Sequence, residues 1–134
     1  MTPPSPLAGF EVCPGPLQLF AFSAATGNPH RIHYDRDYAT AVEGLPGLLV
    51  QGPLLGTWML ELLDRWAQPS GSVESFTYRS IRPVTEGAVL HVGGGVEPSA
   101  SEPGIAVLET WVRTSDGETV ATGRGRVATR TESA

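Results

Sequence analysis

The chain has 134 residues, 40 % of them hydrophobic and 17 % charged, a balance that fits one folded domain with a real core and excludes a disordered chain. Nine basic residues against fourteen acidic ones give a net charge of −5, which leaves a nucleic-acid role without electrostatic support. All nine basic residues are arginines, so the chain holds no Schiff-base amine, no lysine for pyridoxal phosphate and no Walker phosphate loop.

Taken in chain order, residues 1–9, "MTPPSPLAG", read as a Pro-rich loose lead-in with no basic region of the secretory kind. No apolar run approaches bilayer length, so the chain is expected to be neither secreted nor membrane-spanning. The lone Cys13 has no partner for a disulfide or a metal site and suits the cytoplasm. "PLQLFAFSAATG" predicts a short helix, with Pro16 at its first position and Gly27 just past its last turn.

A loop of unusual chemistry follows. "ATGNPHRIHYD", residues 25–35, gathers the only asparagine, Asn28, and two of the three histidines, His30 and His33. Two histidines three residues apart can share a metal, but zinc needs three or four protein ligands. Even with Asp35 and Asp37 the spacing matches no metal signature, and neither a metal nor another cofactor is expected. An acid/base site needs less: an imidazole that titrates near neutrality, and an uncharged amide at Asn28 to orient water. A third reading makes Asn28 a turn residue and the histidines ordinary polar loop residues. From spacing alone all three stand.

Asp35 then caps a short helix through Tyr38 and Ala41. "EGLPGLLVQG" is a connection ending at Gly52, and Pro53 opens the strongest helix of the chain, "PLLGTWMLELLDRWAQ". Leu54, Leu55, Trp58, Met59, Leu62, Leu63 and Trp66 form its apolar stripe. The small Gly56 and Thr57 point to close packing against them. After "PSGS" the pattern turns to strands near 73–83, 88–96, 104–114 and 118–130, the last two joined by the hairpin signal "SDGE". The glycines 93–95 read as a strand bulge, His91 as structural, and Arg124, Arg126 and Arg130 as one solvent face. The fold class is α+β: a single domain over 1–134, a long central helix wrapped by a curled antiparallel sheet, an order of elements that the hot-dog arrangement accommodates.

"FAFSAATGNPHRIHYDRDYA", "EGLPGLLVQGPLLGTWMLELL" and "FTYRSIRPVTEGAVLHVGG", in that order, resemble the MaoC-like hydratases and dehydratases, hot-dog enzymes of acyl thioesters. The likeness is strongest to their type-2 hydroxyacyl-thioester dehydratase and mesaconyl-CoA hydratase branch. It implies that His33 is the catalytic histidine and that Asn28 stands at the position of the family's aspartate, the two holding the water that adds to the double bond. Gly52 falls on the glycine of a His-Gly-Pro signature, where Gln51 replaces the histidine. The resemblance makes Gly52 an oxyanion donor at the helix N-terminus. It also makes Gln51, Tyr34, Arg79 and Arg82 substrate contacts, the arginines toward phosphates of a CoA or pantetheine arm.

The implied substrate is an acyl-CoA or acyl-carrier-protein thioester, and the implied state a homodimer or a pair with a second hot-dog chain. No nucleic acid and no membrane enter as partners. Two other activities fit the same fold. A thioesterase would need Glu61 or Asp64 as its carboxylate, more than two helical turns beyond Gly52; a non-catalytic acyl-binding subunit is favoured by Gln51.

Overall fold

The computed structural model describes residues 2–98 and 102–129. Strands β1 (Ser5–Pro6) and β2 (Phe10–Val12) lead into helix α1 (Pro16–Thr26), which ends at Gly27 in the left-handed conformation. A tight helical turn, Arg31–His33, and a wider one, Tyr38–Val42, carry the chain to helix α2 (Gly52–Ala67). Four longer strands follow: β3 (Ser72–Ser80), β4 (Leu90–Val96), β5 (Ile105–Thr114) and β6 (Thr119–Ala128).

All strand pairs are antiparallel, in the order β1-β4-β5-β6-β3, with β2 also against β4; the sheet is open and β3 is one edge. Leu54, Leu55, Trp58, Met59 and Leu62 of α2 are buried with Leu90, Val92, Val112 and Val120 of the sheet, and Leu63 is buried with Leu108 and Val127. Trp66 departs from the expected stripe: it is 37 % exposed at the end of the helix, and Ala67 takes the inward position. Gly56 is required by close approach, since a β-carbon there would lie 2.7 Å from the Tyr78 ring.

Two expectations are corrected. Residues 5–6 and 10–12 are strands, because the outer edge of β4 offers them pairing, and Leu7 between them packs on the core. The glycines 93–95 are no bulge; they pair with Trp111, Thr110 and Glu109 in unbroken register. What demands glycine is proximity, since β-carbons at Gly93 and Gly94 would lie 2.5 Å from the Trp111 ring and 2.0 Å from the Glu109 carbonyl oxygen. The register shifts fall instead between Val73 and Ser75 and between Val112 and Arg113.

Candidate active site

Helix α1 ends where the chemistry begins. The backbone N–H groups of Gly27 and Asn28 both return to the Ser23 carbonyl, the latter at 2.9 Å. Asn28 Oδ1 accepts from the His30 N–H at 3.2 Å, which folds the next residues into an Asx turn. That turn delivers His33, a residue 8 % exposed whose Nδ1 lies 2.7 Å from the Leu49 carbonyl oxygen. A carbonyl only accepts, so Nδ1 carries the hydrogen and Nε2 of the neutral ring keeps its lone pair. The neutral His33 ring thereby has a fixed tautomer and a fixed orientation. His30 is exposed and meets the His33 ring edge-on at 6.0 Å.

The segment that fixes His33 also starts α2. Leu49 N–H donates to the Ile32 carbonyl at 3.0 Å, and two residues later Gln51 stands at the helix N-cap. Gln51 is 1 % exposed; its Nε2 donates to the Leu19 carbonyl at 2.7 Å and to Ser23 Oγ at 2.9 Å, while Oε1 is buried with no donor. An unmet acceptor of that kind costs about 1–3 kcal/mol. Gly52 follows as the first helical residue, so its N–H is one of those without an intrahelical partner. Pro53 beside it has none to offer. Ser80, at the end of β3, lies over Gly52: its Oγ is 3.4 Å from where a β-carbon of that glycine would stand.

Asn28, His33, Gln51 and Gly52 are therefore linked through Ser23 and Leu49. Tyr34 belongs to the outer wall, its hydroxyl donating to the Pro29 carbonyl at 2.8 Å and its ring edge-on to Phe20. Phe20, Ser23, Ala24, Gly27, Asn28 and Tyr34 help to line a mostly apolar crevice of about 260 Å³ that reaches Asn28 but not His33 or Gly52.

The arginines lie further out. Arg79 follows Tyr78 on β3 and so faces away from α2, while Arg82 pairs with Glu118 at 3.1 Å. Arg124 and Arg126 are exposed or half-exposed partners of Glu97 and Glu102, both at 2.9 Å, as a solvent face requires; Arg130 lies outside the described residues. His91 sits on β4, 3.4 Å from Glu11.

Asp35 caps the wider turn through the Tyr38 N–H at 3.1 Å. The hydrogen bond from Arg31, then that N–H, hold its carboxyl below the usual range. Among the described residues no group of three or more His, Cys, Asp or Glu side chains is placed to hold a metal. Glu61, one of the two carboxylates a thioesterase could use, is paired with Arg65 at 2.8 Å on the exposed side of α2, and Asp64, the other, is also exposed.

Sequence reasoning missed Ser23, the Leu49 carbonyl and Ser80. Only Ser23 left a signal, as a hydroxyl within the otherwise apolar "LFAFSAA".

Residues 2–86 match the family model described as hydroxyacyl-thioester dehydratase type 2. A mesaconyl-C(4)-CoA hydratase of Chloroflexus aurantiacus is 48 % identical over 73 residues, 54 % of this chain and 25 % of that protein. A mitochondrial hydroxyacyl-thioester dehydratase type 2 of Schizosaccharomyces pombe is 32 % identical over 117 residues, 87 % of this chain and 37 % of that one. The chain thus spans between a quarter and two fifths of the length of these relatives. A chain of the ChsH1-ChsH2 complex of Mycobacterium tuberculosis superposes with a TM-score of 0.82 at 19 % identity, over 97 % of this chain and 99 % of that one, which shows the shared hot-dog fold.

Proposed function

The chain belongs to the hydroxyacyl-thioester dehydratase type 2 family, and from that premise we propose that it is a hydro-lyase of MaoC-like type, reversibly hydrating an enoyl thioester to the 3-hydroxyacyl thioester. The observation that carries the proposal is the His33 ring, buried and held through Nδ1 on Leu49, three residues before the free N–H of Gly52.

In the hydration direction Nε2 of His33 takes a proton from water as the oxygen bonds to the β-carbon. The electrons of the double bond move to the thioester carbonyl, whose growing negative charge is met by the Gly52 N–H and the positive end of α2. The proton then passes to the α-carbon, which restores the carbonyl. Asn28 supports this sequence as an uncharged holder of water: Oδ1 is used by the turn, and Nδ2 retains its hydrogens for a water or hydroxyl. Tyr34, Arg79 and Arg82 are proposed substrate contacts. Ser80 lies beside Gly52, where the pantetheine arm of CoA or of an acyl carrier protein would leave the site; Arg82 is two residues on, and Arg79, on the opposite face of β3, would meet the arm's phosphates outside the sheet.

We assign the carrier only as one of those two, the state as a homodimer and the compartment as cytoplasmic. No helix among the described residues is long and apolar enough to cross a membrane.

The purified chain, incubated with crotonyl-CoA, is expected to bleach the enoyl absorbance without releasing free thiol. Thiol release would make it a thioesterase. Binding without turnover would favour the second reading, a non-catalytic subunit paired with another hot-dog chain, to which Gln51 in the place of the family's histidine lends support.

A further inference from the structure

The two halves of the site come from different helices, and one side chain joins them. We propose that Gln51 is a positioning residue: its amide clamps α1 onto the start of α2, and so holds the Asn28 turn in register with the Gly52 N–H. The inference deepens the hydratase proposal for its catalytic consequence, but the clamp itself can be observed without turnover.

Leu19 and Ser23 stand one turn apart on the buried side of α1, and one –NH₂ group reaches both, at 2.7 Å and 2.9 Å. Because the Leu19 carbonyl only accepts, the amide orientation is determined: Nε2 faces α1, and Oε1 is the atom left without a donor. Ser23 relays the clamp. Its hydroxyl meets Gln51, and its backbone carbonyl receives the Gly27 and Asn28 N–H groups. A shift of α1 against α2 therefore moves Asn28. His33 hangs on the same short segment through Leu49, so residues 49–52 fix all three groups together.

The amide has a property that an imidazole in its place would lack. A neutral histidine offers a single N–H, whereas glutamine donates twice from one atom and does not titrate. Glutamate would turn an acceptor toward the Leu19 carbonyl when ionised, and donate one hydrogen when protonated. Leucine would fill the space without any bond.

The test uses the full chain with Gln51→Leu and Gln51→Glu, each compared with wild type at the same pH. Backbone amide hydrogen exchange at Gly27 and Asn28 is expected to quicken by about tenfold or more in Gln51→Leu, while Leu62 and Leu63 in the middle of α2 stay protected. In Gln51→Glu the acceleration should appear at neutral pH and recede as acid neutralises the carboxyl. That variant keeps the test decisive should the leucine chain fold poorly.

On an active chain, Gln51→Leu should lower kcat about tenfold or more and leave KM within about threefold. Gln51→Glu should lose kcat as pH rises, opposite to the limb expected of a base such as His33. Unchanged exchange at Gly27 and Asn28 in both variants overturns the clamp. A raised KM with kcat retained makes Gln51 a substrate contact instead. If wild type does not hydrate enoyl thioesters, the proposed function fails, and the exchange result still decides the clamp.

Discussion

His33 and Asn28 are adjoining parts of one turn but carry different loads. His33 has a buried ring whose only hydrogen-bonded nitrogen is occupied by Leu49, so His33→Ala should remove the base and lower kcat by about 10²–10⁴-fold. His30, exposed beside it, and His91, on β4 against Glu11, should give alanine variants within about tenfold of wild type in the same assay. Asn28→Asp is the sharper substitution. Aspartate can accept the His30 N–H as asparagine does, so the turn survives, but a carboxylate now shares the site with the imidazole. An anion favours imidazolium, and the ascending limb of the rate profile should move to higher pH. An unmoved profile with full activity would reduce Asn28 to a turn residue. The Asn28 turn was legible in the sequence because its partner His30 is two residues on; His33 and Gly52 were singled out by the family resemblance, since the Leu49 carbonyl that holds His33 lies sixteen residues away. The bond from Gln51 to Leu19 and Ser23 was not legible, since it spans elements whose packing no local pattern encodes.

At the scale of elements, what was legible followed periodicity and punctuation. The 3.6-residue stripe of α2, Trp66 excepted, the Pro16-to-Gly27 frame of α1 and the Asp116-Gly117 hairpin appear where the pattern placed them. Strands β1 and β2 escaped notice because segments of two and three residues are too short to show alternation. The glycine run of β4 was misread for a related reason: a glycine required by a neighbouring strand looks, in sequence, like one required by a bulge. Gly94→Ala tests the new explanation. Its β-carbon would collide with backbone, which cannot swing aside, so urea unfolding should show a loss of about 1–3 kcal/mol or more. A second check concerns acid. Asp35, its carboxyl held low by Arg31 and the Tyr38 N–H, stabilises the Tyr38–Val42 turn above the ordinary carboxylate range; this is lost as pH falls through the lowered value. Protease nicking in that turn should therefore set in on acidification of wild type, whereas Asp35→Asn should be nicked faster already at neutral pH and lack that acid-dependent step.

Among the described residues the strands form an open sheet packed on helix α2, with β3 at one edge. Tyr78, Ile81 and Leu60, all more than a third exposed, cluster at or near that edge. An edge of this kind calls for pairing, and the proposed homodimer supplies it. Light scattering should return twice the 14.2 kDa of one chain; a stable, active monomer would contradict the dimer. The central claim is that water adds to the β-carbon under the control of His33. It is tested most directly by incubating crotonyl-CoA with the chain in ¹⁸O-labelled water and weighing the products. The account predicts one ¹⁸O in the acyl part of an intact 3-hydroxybutyryl thioester for wild type, and none for His33→Ala. Label in a released carboxylate, or equal label in both proteins, would contradict it.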